Sequence, residues 1–445
     1  MAHHHSNLSR RGMLSTLGAL GAAIAARPAL GATGGARVPK NIIWFFANGG
    51  WDVTFCMDPK LGVGFIEGPE VDENPNIPTD RNAVSTIHGL PIVTNEHARP
   101  AVTRFFETYG QDTLVLNGIW TGSIVHEGCR MRILTGNSTA SVPDLPTQIG
   151  ARNGVGMPLG SVDMSGLGYA GSLAASTGRV GVRSQLKALI DPASVFQPDP
   201  AAGYGLPLQS PSVGSRAAID DYLRSRAAQL QGAGWTDGAV NDQRVADLLQ
   251  SMDRRRMLLD QGNTLVEDLT ISEEPTLATQ AGTAVDLIAT GMCRSVLVSD
   301  PSSWDTHDIN SLQHDRYEDF FNILGQMMAQ LTAADLLEDT LVVVASEMTR
   351  TPRRNSKTGK DHWAHTSMLM LGGGVTGGRS IGATDDALES LPVDLDTGEA
   401  IYDREASPDA PLLKYDNLAA GILELFDIDP GEVYPTIPPL RALTA

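Results

Sequence analysis

The sequence predicts an α/β protein: a doubly wound, mostly parallel sheet flanked by helices, with a helical insertion. Three observations predict it. Leu341–Ala345 and Asn41–Ala47 are uninterrupted apolar runs of strand length, the pattern of strands buried on both faces. Each run stops abruptly at a group of polar and ionisable residues. Between a third such run, Ser295–Ser299, and the one at Leu341 lies a long amphipathic stretch, Gln313–Leu337, the helical crossover that parallel neighbours require.

The elements follow in chain order. Asn41–Ala47 is a buried strand that ends in the sharp turn Asn48-Gly49-Gly50-Trp51-Asp52, which sets Asp52 at its carboxyl edge. Residues Gly62–Pro91, rich in Pro, Asn and acids, read as a surface loop or insertion. Thr113–Ile119 is the next strand, and a polar turn leads to a helix over His126–Leu134 that closes at Thr135-Gly136. A strand, a turn and a helix start in that order make a ready anion site, with His126 in the first helical turn. Residues 143–280 read as an insertion or cap, with helices over Ala217–Leu230 and Val240–Leu269. The α/β rhythm resumes with a helix over Thr283–Thr290 and the Ser295 strand, whose end carries Asp305 and His307, two residues apart and able to face one side of an extended loop. After the Leu341 strand come Glu347, Arg350, Arg353, Arg354, Asp361, His362 and His365, then a second apolar strand, Ser367–Leu371. Gly377–Tyr402 is a polar excursion, and Asp416–Phe426 is the closing helix.

Composition bounds what the protein does. With 445 residues and 42% hydrophobic content, the chain builds a real core. Its formal charge of -19 argues against nucleic acid or an anionic membrane surface as the main partner, since both demand clustered Lys and Arg. An anionic substrate must therefore be drawn by a local cluster or a metal. Ser9-Arg10-Arg11-Gly12-Met13-Leu14 is a twin-arginine pattern, followed by the weakly apolar Leu17–Ala26 and small residues from Ala29 to Ala36. Residues 1–36 thus read as a Tat signal peptide with its cleavage zone. Residues 37–445 read as a single domain, periplasmic or secreted, with no membrane span after cleavage. Cys56, Cys129 and Cys293 are an odd number for an oxidising compartment: one disulfide with a free thiol, or three buried thiols.

Ligands of open α/β sheets gather outside the carboxyl ends of the strands. Asp52, His126, Asp305, His307, Glu347, Asp361, His362 and His365 all fall there. Carboxylates mixed with imidazoles suit a divalent cation such as zinc, manganese, magnesium or calcium, which would polarise an ester oxygen or activate water, while Arg350 and Arg354 hold an oxyanion. His126 would serve as ligand or as general acid/base.

The motifs Asn48–Asp52, Ser302–His307 (SSWDTH), Ser346–Trp363 and Gly372–Gly382 resemble the Tat-exported domain-of-unknown-function 1501 family, which is placed with the alkaline phosphatase and sulfatase superfamily. The resemblance implies an alkaline phosphatase/sulfatase-like sheet, divalent metal at the strand ends, and hydrolysis of a small phosphate or sulfate ester. It implies metal-binding roles for Asp52, Asp305, His307 and Glu347, with His362 or His365 completing the set. At the place where the superfamily carries a nucleophilic Ser, Thr or modified Cys, this chain has His126. The alternative is a non-catalytic exported binding or assembly protein with a structural metal on the same fold, which leaves a protein partner open.

Overall fold

The computed structural model describes residues 37–71, 76–139, 141–179, 212–231, 238–265 and 276–445. The twin-arginine segment lies outside them. The strands are β1 (Asn41–Phe46), β2 (Ala83–Ile87), β3 (Leu90–Thr94), β4 (Thr113–Trp120), β5 (Ser161–Asp163), β6 (Thr177–Arg179), β7 (Ser295–Ser299), β8 (Thr340–Ala345), β9 (Thr349–Arg350), β10 (His362–Trp363), β11 (His365–Gly372), β12 (Arg379–Ile381) and β13 (Leu413–Lys414). The helices are α1 (Pro100–Tyr109), α2 (His126–Thr135), α3 (Leu145–Asn153), α4 (Val213–Leu230), α5 (Gly238–Leu265), α6 (Leu277–Ala289), α7 (Leu312–Ala333) and α8 (Tyr415–Leu425).

A nine-stranded sheet runs β12-β4-β11-β8-β1-β7-β5-β6, with β13 also paired to β4. Its pairings are parallel except those of β11, which runs antiparallel to both β4 and β8. A helical crossover separates β7 from β8, whereas β8 reaches β11 through loop and the short β9–β10 pair, so the chain turns back instead of crossing over. The reversal puts the start of β11 on the same rim as the ends of β1, β4, β7 and β8.

Alternation along the strands divides the core in two. Ile43, Phe45, Val296, Val298, Val342 and Val344 face one layer of helices, α1, α6 and α7. Ile42, Trp44, Phe46, Leu341, Val343 and Ala345 face the other, α2, α3 and α8. Helices therefore cover both faces, and the central strands are apolar on both. In α7 the buried residues Tyr317, Phe320, Phe321, Leu324, Met328 and Leu331 recur at helical spacing, and Phe320 meets Phe45 edge-on with 4.7 Å between ring centroids.

Three stretches differ from the sequence expectation. Within residues 143–280, β5 and β6 extend the main sheet beyond β7, so the start of that region belongs to the domain core. The pair α4 and α5 stands outside the sheet, bridged by Arg224–Asp253 at 2.6 Å and Arg255–Asp220 at 3.1 Å. Gly62–Pro91 contributes to the hairpin β2–β3, and Gly377–Tyr402 contains β12, an edge of the sheet. Strands of three residues are too short to show a period of two. Cys56, Cys129 and Cys293 are all free and buried, which resolves the choice left open above. No helix among the described residues is long and apolar enough to cross a membrane.

Phe320 fills the space between α7 and β1. Phe320→Ala is expected to lower unfolding free energy by about 3–5 kcal/mol, read as a fall in the urea midpoint at constant slope.

Candidate metal centre

Loops from three strands are sewn together before any functional group is placed. Glu347, just past β8 and fully buried, accepts the Gly49 N–H on both carboxylate oxygens at 3.0 Å. Ser346 Oγ accepts the N–H groups of Gly50 and Trp51 at 3.1 and 3.2 Å. Gly49 has φ +124°, and a Cβ there would stand 2.7 Å from Asp305 N and 2.8 Å from Trp304 N. Only glycine lets the β1 turn press so closely on the loop after β7. Arg350, fully buried, donates to the carbonyl oxygens of Gly49, Gly50, Trp304 and Lys360 and pairs with Asp305 Oδ1 at 2.7 Å.

Three imidazoles then meet the Asp305 carboxylate. His307 Nε2 and His362 Nε2 lie 3.0 and 3.2 Å from Oδ1, and His126 Nε2 lies 3.4 Å from Oδ2. The Nδ1 atoms point outward onto oxygens: His126 to Glu347 Oε1 at 2.9 Å, His307 to Asp361 Oδ1 at 2.8 Å, His362 to the main-chain oxygen of Ile124 at 2.8 Å. A carbonyl only accepts, so Nδ1 of His362 carries a proton, and in the neutral form of this ring the lone pair sits at Nε2. The carboxylates favour the same tautomer in His126 and His307.

This arrangement fits a cation. His307 Nε2 and His362 Nε2 are 2.9 Å apart, a separation at which two lone pairs repel unless a proton or metal lies between them. His126 Nε2 is buried with no hydrogen bond among the described residues. Ligand atoms of His126, Asp305 and His362 all lie within 4.8 Å of one another. Rings held through Nδ1 on oxygen while Nε2 faces a shared centre are oriented as histidine ligands are. Two imidazole nitrogens and a carboxylate, with His307 Nε2 beside His362 and Asp305, suit a divalent transition ion.

The charges reinforce the geometry. The hydrogen bond to Glu347 raises the His126 pKa above its usual value, against burial that lowers it. Burial disfavours the Asp305 carboxylate, yet Arg350, His362 and His307 outweigh it and hold the group below the usual carboxylate range. Asp361 is held low chiefly by its bond to His307.

Of the residues expected at the site, His126, Asp305, His307 and His362 converge. Glu347 and Asp361 stand behind two of the rings. Asp52 lies in a separate network: fully buried, it pairs with Lys360 Nζ at 2.8 Å and accepts from Asn310 Nδ2 at 2.9 Å and Thr54 Oγ1 at 2.6 Å. Lys360 and Gln313 escaped the sequence reading, because nothing local marks a lysine or glutamine as buried. Gln313 Oε1 accepts the Asp52 N–H, and its Nε2 donates to Trp304 O and Thr306 Oγ1, tying the β1 turn to the β7 loop. Arg350 engages Nε and both Nη atoms with these loops, so it braces them where the sequence suggested an anion clamp. Arg354 keeps Nε and Nη2 buried without hydrogen-bond partners among the described residues, and its neighbour Asn355 donates to His307 O and Asp361 Oδ1. His365 turns away from the cluster onto Ser390, whose N–H it accepts at Nδ1.

Two outcomes follow. Lys360→Met leaves the Asp52 carboxylate buried and unpaired, and is expected to cost about 3–5 kcal/mol in denaturant unfolding, with the double variant Asp52→Asn/Lys360→Met recovering much of that. Burial lowers the His365 pKa from its ordinary 6.5 to about 4. The unfolded chain therefore takes up that proton first, and the contribution is complete above 6.5 and lost as pH falls toward 4. His365→Asn should flatten the stability difference between those limits, and a variant profile parallel to the parent's would contradict the assignment.

A sequence profile described as "Protein of unknown function (DUF1501)" matches residues 39–435. No curated protein matches the chain in sequence. Among solved structures, the chain aligns with the PsFucS1 sulfatase from Pseudoalteromonas sp. at 10% identity and a TM-score of 0.36, over 88% of this chain and 68% of that one. It aligns with the phosphonate monoester hydrolase from Silicibacter pomeroyi at 10% identity and a TM-score of 0.36, over 91% and 76%. A TAB5 alkaline phosphatase variant aligns at 12% identity and a TM-score of 0.33, over 88% and 99%.

Proposed function

The chain belongs to the DUF1501 family, and from that premise we propose that it is a metal-dependent hydrolase of a small phosphate, sulfate or related anionic ester, exported by the Tat route to the periplasm. One observation carries the reading: three imidazole Nε2 atoms converge on Asp305, each ring anchored behind by an oxygen. His126, Asp305, His307 and His362 would hold the ion. Imidazole nitrogens favour zinc over manganese, calcium or magnesium, which prefer oxygen. Bound there, the ion supplies Lewis-acid polarisation of the ester oxygen.

The chain's own groups do the rest. Glu347 and Asp361 fix the tautomers of His126 and His307 and keep Nε2 basic. Arg354, whose Nε and Nη2 have no hydrogen-bond partner among the described residues, is the arginine left to receive an oxyanion once its donors are uncovered. Among the described residues His126, Asp305, His307 and His362 meet with no Ser, Thr or Cys side chain between them, so attack on the ester falls to water. Cys129 is no substitute: its thiol donates to Ser123 O at 3.1 Å, and burial raises its pKa. The twin-arginine segment supports export.

A second reading keeps the ion and drops turnover, making this an exported binding or assembly protein with a structural metal. The full engagement of Arg350 by main-chain carbonyls favours it.

Elemental analysis of the purified protein should show a bound divalent ion, lost in His126→Ala and Asp305→Ala. Glu347→Gln is expected to weaken metal affinity by about 10–100-fold. Turnover on a panel of phosphate and sulfate esters that stops on chelation and returns with zinc or manganese supports the hydrolase. A silent panel with a melting temperature that falls on chelation supports the structural metal. No bound ion, with properties unchanged in Asp305→Ala, removes both.

A further inference from the structure

A second recess opens on the same rim. It is a cavity of about 430 Å³ whose lining includes Trp120, Arg132, Asn137, Ser138, Lys414 and Asp416. Trp120 ends β4, and Lys414 sits beside it in the ladder with its ammonium 5.4 Å from the indole centroid. Arg132 lies six residues after His126 on α2, about 9 Å along the helix axis. The wall is fastened to the histidine cluster through Tyr415, whose hydroxyl donates to Glu347 O at 2.9 Å.

The charges in this cavity are unbalanced. The Arg132 guanidinium forms no hydrogen bond or ion pair among the described residues. Space is kept for it: Gly122 has φ +67°, and a Cβ there would stand 2.8 Å from Arg132 Nη1 and 3.4 Å from the Trp120 ring. Two cations face one carboxylate, Asp416, whose Oδ1 already accepts the Asn417 N–H at 2.9 Å. A larger cavity, about 610 Å³ at the opposite end of the strands, provides the contrast. There Lys40 pairs with Asp339 at 2.9 Å, Arg152 pairs with Glu432, and Arg294 donates to Asn41 at 3.1 Å. Its cations each have a hydrogen-bond or ion-pair partner, whereas the Arg132 guanidinium has none among the described residues.

We infer that the cavity beside Trp120 is a second anion-binding site, which takes an oxyanion of the phosphate or sulfate class on Arg132 and Lys414. Asn137 and Ser138 supply neutral donors at its edge. The site is independent of the histidine centre and of the ester reading: it needs no metal and no turnover.

The test is calorimetric titration of the full-length protein with inorganic phosphate and with sulfate, after metal stripping and removal of chelator, and again after reloading. Saturable binding by the stripped protein is expected, weakened about ten- to hundredfold by Arg132→Gln and by Lys414→Gln, and partly restored in Arg132→Lys. Quenching or enhancement of Trp120 fluorescence should accompany it and vanish in Trp120→Phe. If Arg132→Gln does not fold, Lys414→Gln carries the same reading. Binding only to the metal-loaded protein, affinity unchanged in a folded variant, or no saturable binding overturns the inference. Ester hydrolysis failing while stripped-protein binding persists would count against the hydrolase alone.

Discussion

Glu347 puts an acidic group where no solvent reaches, and the site takes its form from how that group is met. A buried carboxylate without partners costs several kcal/mol, so its oxygens must be satisfied. They are satisfied by pieces far apart in the chain: the Gly49 amide after β1, the neighbouring Ser346 hydroxyl, and the His126 ring at the start of α2. One side chain thereby fixes the turn of the central strand and the orientation of an imidazole at once. Arg350 performs the matching task with opposite charge, gathering four carbonyl oxygens and the Asp305 carboxylate. Between these two buried groups the loops have little freedom, which is what a preorganised set of ligands requires.

The reversed strand β11 supplies the remaining piece. Because β8 and β11 are joined without a crossover, residues 346–364 stay on the rim and cannot leave for the other end of the sheet. His362 thus reaches Asp305 and His307, which arrive from β7 on the far side of β1. A fully parallel sheet would have carried this segment away through a helix.

Much of this was legible in the sequence. Leu341–Ala345, Asn41–Ala47 and Ser295–Ser299 announce themselves because strands buried on two faces must be apolar throughout, and polar residues crowd only where the strand ends. His126, Asp305, His307 and His362 each follow such an end, so their nearness could be read. Their division of labour could not. Asp52 sits as close to a strand end as Asp305 does, and only the three-dimensional placement of Lys360 separates a buried ion pair from a carboxylate exposed among imidazoles. Arg350 and Arg354 stand four residues apart, yet one is consumed by carbonyls and the other is not. β5, β6 and β12 were missed because three residues carry no periodicity; the ladders around them, not their own side chains, make them strands.

The three thiols carry a last consequence. Cys56, Cys129 and Cys293 are shut inside the fold as reduced side chains, and burial makes each harder to ionise. A protein built this way asks nothing of an oxidising catalyst to reach its final shape. Its fold can be completed in a reducing compartment, whereas a chain that depended on cystine bridges would need an oxidising one.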